Sequence, residues 1–182
     1  MTKLRDRFPA TANLKRLLGA ARTGIDGERN LIREAWDALG HVPGGKIVFA
    51  ELVGRTAAYT GSIGARVEEL RHGYAETSMR DRPRLRNHLR SVHAIALANL
   101  AELTGNIAVA YSMPDDARFI VAGLTIEYTK KARGTIRGLC HCPAVTSNER
   151  QEVPVRVSLV DSSGDEVASV TMRTLVGPKK AK

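Results

Sequence analysis

The feature that most constrains the fold is an apolar segment at residues 87–111, "NHLRSVHAIALANLAELTGNIAVAY". Its content of Ala and Leu favours a helix, and apolar side chains would occupy nearly every side of that helix. A helix of this kind has to be enclosed, either by the rest of the protein or by a membrane. Glu102 lies near its middle, and a charged residue there argues against a membrane span. The segment therefore predicts a helix at the centre of a soluble domain.

Shorter elements flank this segment. The first forty residues predict two helices, of which the second is capped by Asp26 and ends at Gly40, and a third short helix is predicted over residues 47–54. Six strands follow from the period-two patterns, two before the apolar segment and four after it: "ARVEEL", "YAETSMR", "FIVAGLTIEYT", "TIRGLCHC", "VPVRVSLVD" and "EVASVTMRTLV". Short connections predict an antiparallel sheet whose last four strands form a meander, so that "FIVAGLTIEYT" pairs with "TIRGLCHC". Pro154 predicts that the fifth strand lies at an edge, or that a strand starts there.

These elements predict an α+β fold in which a curled, largely antiparallel six-stranded sheet wraps one long central helix. The chain of 182 residues is long enough for one domain with a sizeable core. Residues 1–42 are interpreted as an N-terminal helical extension, residues 43–177 as the main domain, and residues 178–182 as a disordered basic tail. The N-terminus has no apolar core of a secretory signal, so we expect a cytoplasmic protein.

Three polar residues of the apolar segment have a recognisable spacing. Asn87, His93 and Glu102 form the pattern N-x5-H-A-I-x6-E. This pattern resembles the signature of the hotdog-fold thioesterases, in which an Asn lies six residues before "HGG" and a catalytic Asp or Glu lies nine residues after the His. The acid here is Glu, as in the hydroxybenzoyl-CoA type, whereas the phenylacetyl-CoA type has Asp. Roughly residues 43–177 are similar to an uncharacterised bacterial branch of these proteins.

The resemblance implies a hotdog fold and an acyl-CoA thioesterase with no cofactor beyond the coenzyme A of its substrate. It implies that Glu102 is the base or nucleophile, and that the backbone N–H of Ala94 polarises the thioester carbonyl. Ala94 and Ile95 replace the two glycines of "HGG" and narrow the approach of the substrate. His93 either orients the helix start or takes part in acid–base catalysis, and Asn87 is either a local cap or a ligand of the substrate.

Helical geometry separates the two ends of this pattern. At about 100° per residue, His93 and Glu102 lie on opposite sides of the helix. Two antiparallel helices across a dimer interface would bring Glu102 of one subunit to the His93 end of the other. We therefore expect a homodimer with two composite sites, or a tetramer made of two such dimers. The alternative to a catalytic role for Glu102 is that of a buried acid paired with an arginine of the sheet.

The basic residues suggest where a phosphorylated substrate is held. The formal net charge is +9, which favours anionic partners such as coenzyme A. Candidate substrate-binding residues are Arg90, at a position where the family often has a small residue, and Lys130, Lys131 and Arg133 in the loop "KKARG". Arg80, Arg82, Arg84 and Arg86 alternate just before the motif. The alternative interpretation of all these charges is a solvated basic surface.

Other functional classes fit the sequence less well. Only 4% of the residues are aromatic, and no aromatic residues interleave the basic runs, which argues against nucleic-acid binding. Cys140 and Cys142 are the only cysteines, and their spacing suits neither a mutual disulfide nor a metal site. The main alternative to a thioesterase is a non-catalytic hotdog protein that binds acyl-CoA or lipid. The replaced glycines favour this alternative.

Overall fold

The computed structural model describes residues 30–179. In this part of the chain the helices are α1 (Leu31–Leu39), α2 (Gly45–Thr56), α3 (Ala58–Gly61) and α4 (Ala94–Ser112), with a 3-10 turn at Pro83–Leu85. The strands are β1 (Arg66–Arg71), β2 (Tyr74–Met79), β3 (Ala117–Tyr128), β4 (Ile136–His141), β5 (Gln151–Val160) and β6 (Glu166–Pro178). The predicted α+β architecture with a central helix and additional N-terminal helices is confirmed.

The six strands form one antiparallel sheet in the order β1-β2-β4-β5-β6-β3. The predicted pairing of β3 with β4 is wrong, because β3 lies at the far edge beside β6 while β4 lies between β2 and β5. Period-two alternation identifies strands but does not specify their partners. Pro154 lies in an interior strand, yet the pairing of β4 with β5 ends at Arg156, so Pro154 faces a strand on one side only.

The central helix α4 is enclosed as its sequence predicts. It begins at Ala94, and thirteen of its nineteen residues are buried. Its length and composition would suffice to cross a membrane, but most of its surface packs inside the domain, as in the core helix of a soluble protein. Residues 87–92, which the apolar pattern included in the helix, form a loop instead. The helix contacts all six strands, so the sheet curls around it.

Helix α1 closes the C-terminal end of α4. Asn30 caps α1 by accepting the N–H of Arg33 at 3.1 Å, and its side-chain amide donates to the carbonyl of Ala110. Arg33 donates to the carbonyls of Tyr111 and Met113. These contacts satisfy carbonyls that the end of a helix leaves free. The cap of α1 is thus Asn30, whereas Asp26 and the first predicted helix lie outside the described residues.

The C-terminal strand is longer than the sequence suggests. Its last residue is Pro178, and the N–H of Lys179 donates to the carbonyl of Asp116 at 2.8 Å. Residues 178 and 179, which were assigned to the disordered tail, are therefore ordered. Residues 180–182 lie outside the described part of the chain.

A glycine in β4 allows the sheet to approach the central helix. A Cβ added to Gly138 would lie 2.4 Å from Thr104 Oγ1 and 2.8 Å from Thr77 Oγ1, and these two hydroxyls are hydrogen-bonded to each other at 2.6 Å. We expect Gly138→Ala to lower the free energy of unfolding by about 1–3 kcal/mol, because α4 and the sheet must separate. Urea unfolding measures this change. An unaltered midpoint would show that the contact is not close, and Gly177→Ala in β6, where an added Cβ would lie 3.6 Å from Arg150 Cγ, is the control for the loss of a strand glycine.

Candidate functional site

The start of α4 is held by His93. Its backbone is extended (φ −65°, ψ 139°), and its Nδ1 accepts the N–H of Ile95 at 3.1 Å. Its own N–H donates to the carbonyl of Leu85 at 2.7 Å. His93 is therefore the N-cap of the helix. Its imidazole is exposed, and its Nδ1 is the acceptor of the capping hydrogen bond.

Ala94 carries a free donor at this helix start. Within residues 30–179, its N–H has no acceptor, while its carbonyl accepts the hydroxyl of Tyr128 at 3.2 Å. The N-terminus of a helix bears a partial positive charge, so the free N–H can bind a developing oxyanion. Ile95 follows, with 53% of its surface exposed.

Asn87 organises the loop that precedes the helix. Its Oδ1 accepts the N–H of Leu89 at 2.9 Å and both the N–H and the hydroxyl of Ser91 at 3.3 and 3.1 Å. Its carbonyl accepts the N–H of Arg90 at 3.0 Å. These bonds place Asn87 in the local capping role, one of the two roles that its sequence position left open. Arg90 adopts a left-handed backbone conformation (φ 56°) in this loop.

Glu102 lies on the one side of α4 that residues 30–179 leave uncovered. Its neighbours on this side are the exposed Ile95 and the half-buried Ala98 and Asn106. Within residues 30–179, its carboxylate has no ion pair or hydrogen bond. The expectation of a buried Glu102, alone or paired with a sheet arginine, is wrong for the single chain. In the described part of the chain, the sheet and helices α1–α3 pack against the other sides of α4 and leave this one open.

Within one chain, Glu102 lies too far from the start of α4 for both to contact the same thioester. Eight residues separate Ala94 from Glu102, which corresponds to about 12 Å along the helix axis. A thioester carbonyl bound at Ala94 is therefore beyond the reach of Glu102 from the same chain. Asn99, three residues before Glu102, turns to α3 and donates to the carbonyl of Tyr59 at 3.1 Å.

The candidate basic residues fall into two groups. Lys130 is held by Asp161 and Asp165 at 2.8 and 2.7 Å, which raises its pKa, and Lys131 is exposed. The other two candidates, Arg90 and Arg133, line one cleft of about 550 Å³, here called the arginine cleft. Its remaining lining residues are Arg80, Asp81, Arg86, Gly134 and Thr135.

Sequence reasoning missed Tyr128 at this site. The residue ends the edge strand β3, and its hydroxyl contacts the carbonyl of Ala94, although 47% of its surface is exposed. Partial burial raises the pKa of its phenol, so the hydroxyl stays protonated and donates at neutral pH. No spacing in the sequence relates Tyr128 to Ala94, because only the curl of the sheet brings them together.

The two cysteines are buried thiols away from this site. Burial raises the pKa of Cys140 to about 12 and that of Cys142 to about 11. Because the thiolate is the reactive form, we expect both to react with a thiol reagent at pH 8 at least about a hundredfold more slowly than an unfolded cysteine. Titration with Ellman's reagent before and after unfolding in guanidinium measures this. Two fast thiols in the native protein would contradict the described packing.

Comparison with known proteins identifies a family that matches most of this chain. Residues 45–176 match the domain of unknown function DUF4442. The chain is 26% identical to a Pseudomonas aeruginosa protein of unknown function described as a probable thioesterase, over 75% of this chain and 97% of that chain, with a TM-score of 0.66. The structural-genomics protein APC5556 is 25% identical over 91% of this chain and 99% of that chain, with a TM-score of 0.66.

The Escherichia coli PaaI protein, from the phenylacetic acid degradation operon, shows the shared fold at lower identity. It is 16% identical over 69% of this chain and 88% of that chain, with a TM-score of 0.58. A search among curated proteins finds no significant match. The resemblance to hotdog thioesterases that the motif indicated is thus confirmed at the level of fold and family. With most of its length matched, the chain belongs to the DUF4442 family and has the hotdog fold of the thioesterases.

Proposed function

We propose that the protein is an acyl-CoA thioesterase, which hydrolyses a thioester to a free acid and coenzyme A. One observation carries the proposal: α4 offers a free N–H at Ala94, and its only carboxylate, Glu102, lies on the side of the helix that the domain leaves uncovered. The likeness to a probable thioesterase of P. aeruginosa supports the reaction class. The net charge of +9 suits a phosphorylated carrier such as coenzyme A.

The chemistry follows from these two groups. The N–H of Ala94 donates to the thioester oxygen and stabilises the negative charge that develops there. Glu102 removes a proton from a water molecule, whose oxygen bonds to the carbonyl carbon. The C–S bond then breaks, and the proton passes from Glu102 to the leaving thiolate. As a nucleophile, Glu102 would instead bond to the carbonyl carbon, the C–S bond would break with loss of the thiolate of coenzyme A, and water would hydrolyse the resulting anhydride. His93 and Asn87 position the helix start.

The site is completed by a second subunit. Within residues 30–179, β3 pairs with β6 along one edge and leaves its other edge unpaired over twelve residues. Ile120, Leu124 and Tyr128 of this strand are exposed. A long, apolar, unpaired edge favours pairing with another chain, and a two-fold axis closes such a pair. An antiparallel pair of α4 helices would then bring Glu102 of one subunit towards Ala94 of the other. We infer such a homodimer, in the cytoplasm.

The side chain of Ile95 at the start of α4 favours a second function. Ile95 stands where the thioesterase signature has glycine, and its exposed side chain narrows the access to the N–H of Ala94. A hotdog protein that binds acyl-CoA without hydrolysing it would tolerate this side chain. Binding in such a protein would not depend on the carboxylate of Glu102.

Thiol release from acyl-CoA esters tests the two functions. The panel contains short-, medium- and long-chain linear esters and aromatic esters, and each is followed with Ellman's reagent. The proposed function predicts turnover of at least one class above the uncatalysed rate. Binding of acyl-CoA by calorimetry without turnover of any ester would favour the non-catalytic function.

A further inference from the structure

The arginine cleft is a strongly positive concavity beside the start of α4. Arg80, Arg86, Arg90 and Arg133 line it, together with one carboxylate, that of Asp81. Its volume of about 550 Å³ is within the range of small-molecule sites, roughly 300–1,000 Å³. Exposed arginines around one concavity raise the local positive potential, so the cleft attracts anionic ligands.

One of the four arginines, Arg86, is paired with a carboxylate. Arg86 forms two hydrogen bonds with Asp81 at 2.7 and 3.2 Å, and the N–H of Gly134 donates to the same carboxylate at 3.2 Å. The bond from Arg86 lowers the pKa of Asp81, so the carboxylate stays ionised at neutral pH. Asp81 thus ties the loop after β2 to the loop before β4 and neutralises one guanidinium.

The other three arginines are not neutralised by a carboxylate of the described chain and are available to bind an anionic ligand. Within residues 30–179, Arg80, Arg90 and Arg133 have no carboxylate partner. All three side chains are exposed at the cleft. Arg82 and Arg84, which alternate with Arg80 in the sequence, lie elsewhere, beside Gly64. The fold therefore divides the basic run into two parts and directs one part into the cleft.

Arg90 is the most informative of the three. It is the only non-glycine residue with positive φ in the described chain, at 56°. Glycine adopts this conformation without strain, whereas most other residues are disfavoured there by about 1 kcal/mol. A strained backbone that presents a guanidinium to a cleft is typical of a functional position. The side chain of Arg90, rather than its backbone, is then what the cleft requires.

We propose that the arginine cleft binds the 3′-phosphorylated adenosine diphosphate of coenzyme A, so that free acyl-CoA, rather than an acyl group on a carrier protein, is the substrate. The inference rests on the proposed function and specifies its substrate. Guanidinium groups suit phosphate oxygens because they donate in a planar fork. The nucleotide end of coenzyme A carries a diphosphate and a 3′-phosphate, which matches three unpaired cations. An acyl group on a carrier protein is joined to that protein through a single phosphate, which would leave two of these three cations without a phosphate partner.

The position of the cleft fits the path of such a substrate. Arg90 precedes Ala94 by four residues, and the N–H of Val92 donates to the carbonyl of Ala132 at 2.9 Å, next to Arg133. The same pair of loops therefore carries the cleft and the helix start. A thioester with its carbonyl at Ala94 would have its carrier directed towards these loops.

Calorimetric titration with adenosine 3′,5′-bisphosphate tests the cleft without any catalysis. Wild type is expected to bind this fragment, and Arg133→Met and Arg90→Gly are each expected to lose affinity by about tenfold or more. Arg90→Gly also relieves the strained backbone, so its melting temperature should be unchanged or higher, which excludes misfolding as the cause. Arg156→Met, which removes an exposed charge in β5 outside the cleft lining, is the matched control and should bind as wild type. Equal affinity of all four proteins, or no binding by wild type, would overturn the inference.

Kinetics separate this inference from the proposed function. With acyl-CoA, the cleft variants should have a raised KM, whereas with the corresponding acyl-pantetheine, which lacks the nucleotide, they should match wild type. Arginine-dependent binding of the bisphosphate without any hydrolysis would sustain the cleft and reject the thioesterase. Hydrolysis with the same KM for acyl-CoA in all variants would reject the cleft alone. Turnover of an acyl carrier protein in preference to acyl-CoA would also overturn it.

Discussion

Replacing Glu102 by Gln is expected to lower the kcat of thioester hydrolysis at least about a thousandfold, because the amide can neither accept a proton from water nor attack the carbonyl. The side chains have nearly the same shape. Glu102 is exposed on the single chain and has no partner within residues 30–179, so we expect the free energy of unfolding to change by no more than about 0.5 kcal/mol. Thiol release under saturating acyl-CoA measures kcat, and thermal unfolding measures the stability.

Glu149→Gln is the matched control for this substitution. Glu149 is also exposed, and it lies in the loop before β5, away from α4. The same change of charge there should leave kcat within a factor of about two. If Glu102→Gln kept full turnover, Glu102 would not be the base or nucleophile, and hydrolysis would have to depend on another group.

The second large effect is expected from Ala94→Pro, which deletes the N–H proposed to hold the oxyanion. Proline is well tolerated at the first position of a helix, and Ala94 occupies that position in α4. His93 before it already has the extended backbone that a residue before proline adopts. We therefore expect kcat to fall by about a hundredfold to a thousandfold, the usual loss for one oxyanion donor. The melting temperature should change little.

Ala94→Gly is the control at the same position. It keeps the N–H and introduces the first glycine of the thioesterase signature, so we expect turnover equal to that of wild type or higher. Parallel kcat measurements of the two variants isolate the N–H from the side chain. Full activity of Ala94→Pro would mean that the thioester carbonyl binds elsewhere.

The sequence was sufficient for the elements that depend on local pattern. The apolar segment around Leu100 predicted the central helix, because a helix that is buried on nearly every side must carry apolar residues on nearly every side. The strands were found for the same reason, since alternation follows from a sheet with one buried face. The spacing of Asn87, His93 and Glu102 indicated the family, because it resembles the signature of the hotdog thioesterases.

What depends on tertiary arrangement was not available from the sequence. The pairing of β3 with β6 is set by the way the sheet closes around α4, and alternation in β3 is the same whichever strand it joins. Arg90 and Arg133 are 43 residues apart in the chain, and only the folding of two loops makes them neighbours. The exposure of Glu102 was missed because an apolar helix suggests complete enclosure, whereas residues 30–179 leave one side of α4 uncovered.

Mixing two inactive variants tests the central claim, that each active site combines Ala94 of one subunit with Glu102 of the other. Glu102→Gln and Ala94→Pro are mixed in equal amounts, the subunits are exchanged by mild denaturation and refolding, and thiol release is measured. In a mixed dimer one site would combine both substitutions and the other would have neither. We therefore predict recovery of about a quarter of the wild-type activity, as random pairing of a two-fold dimer requires. No recovery, although mass spectrometry shows that mixed dimers have formed, would contradict the shared site.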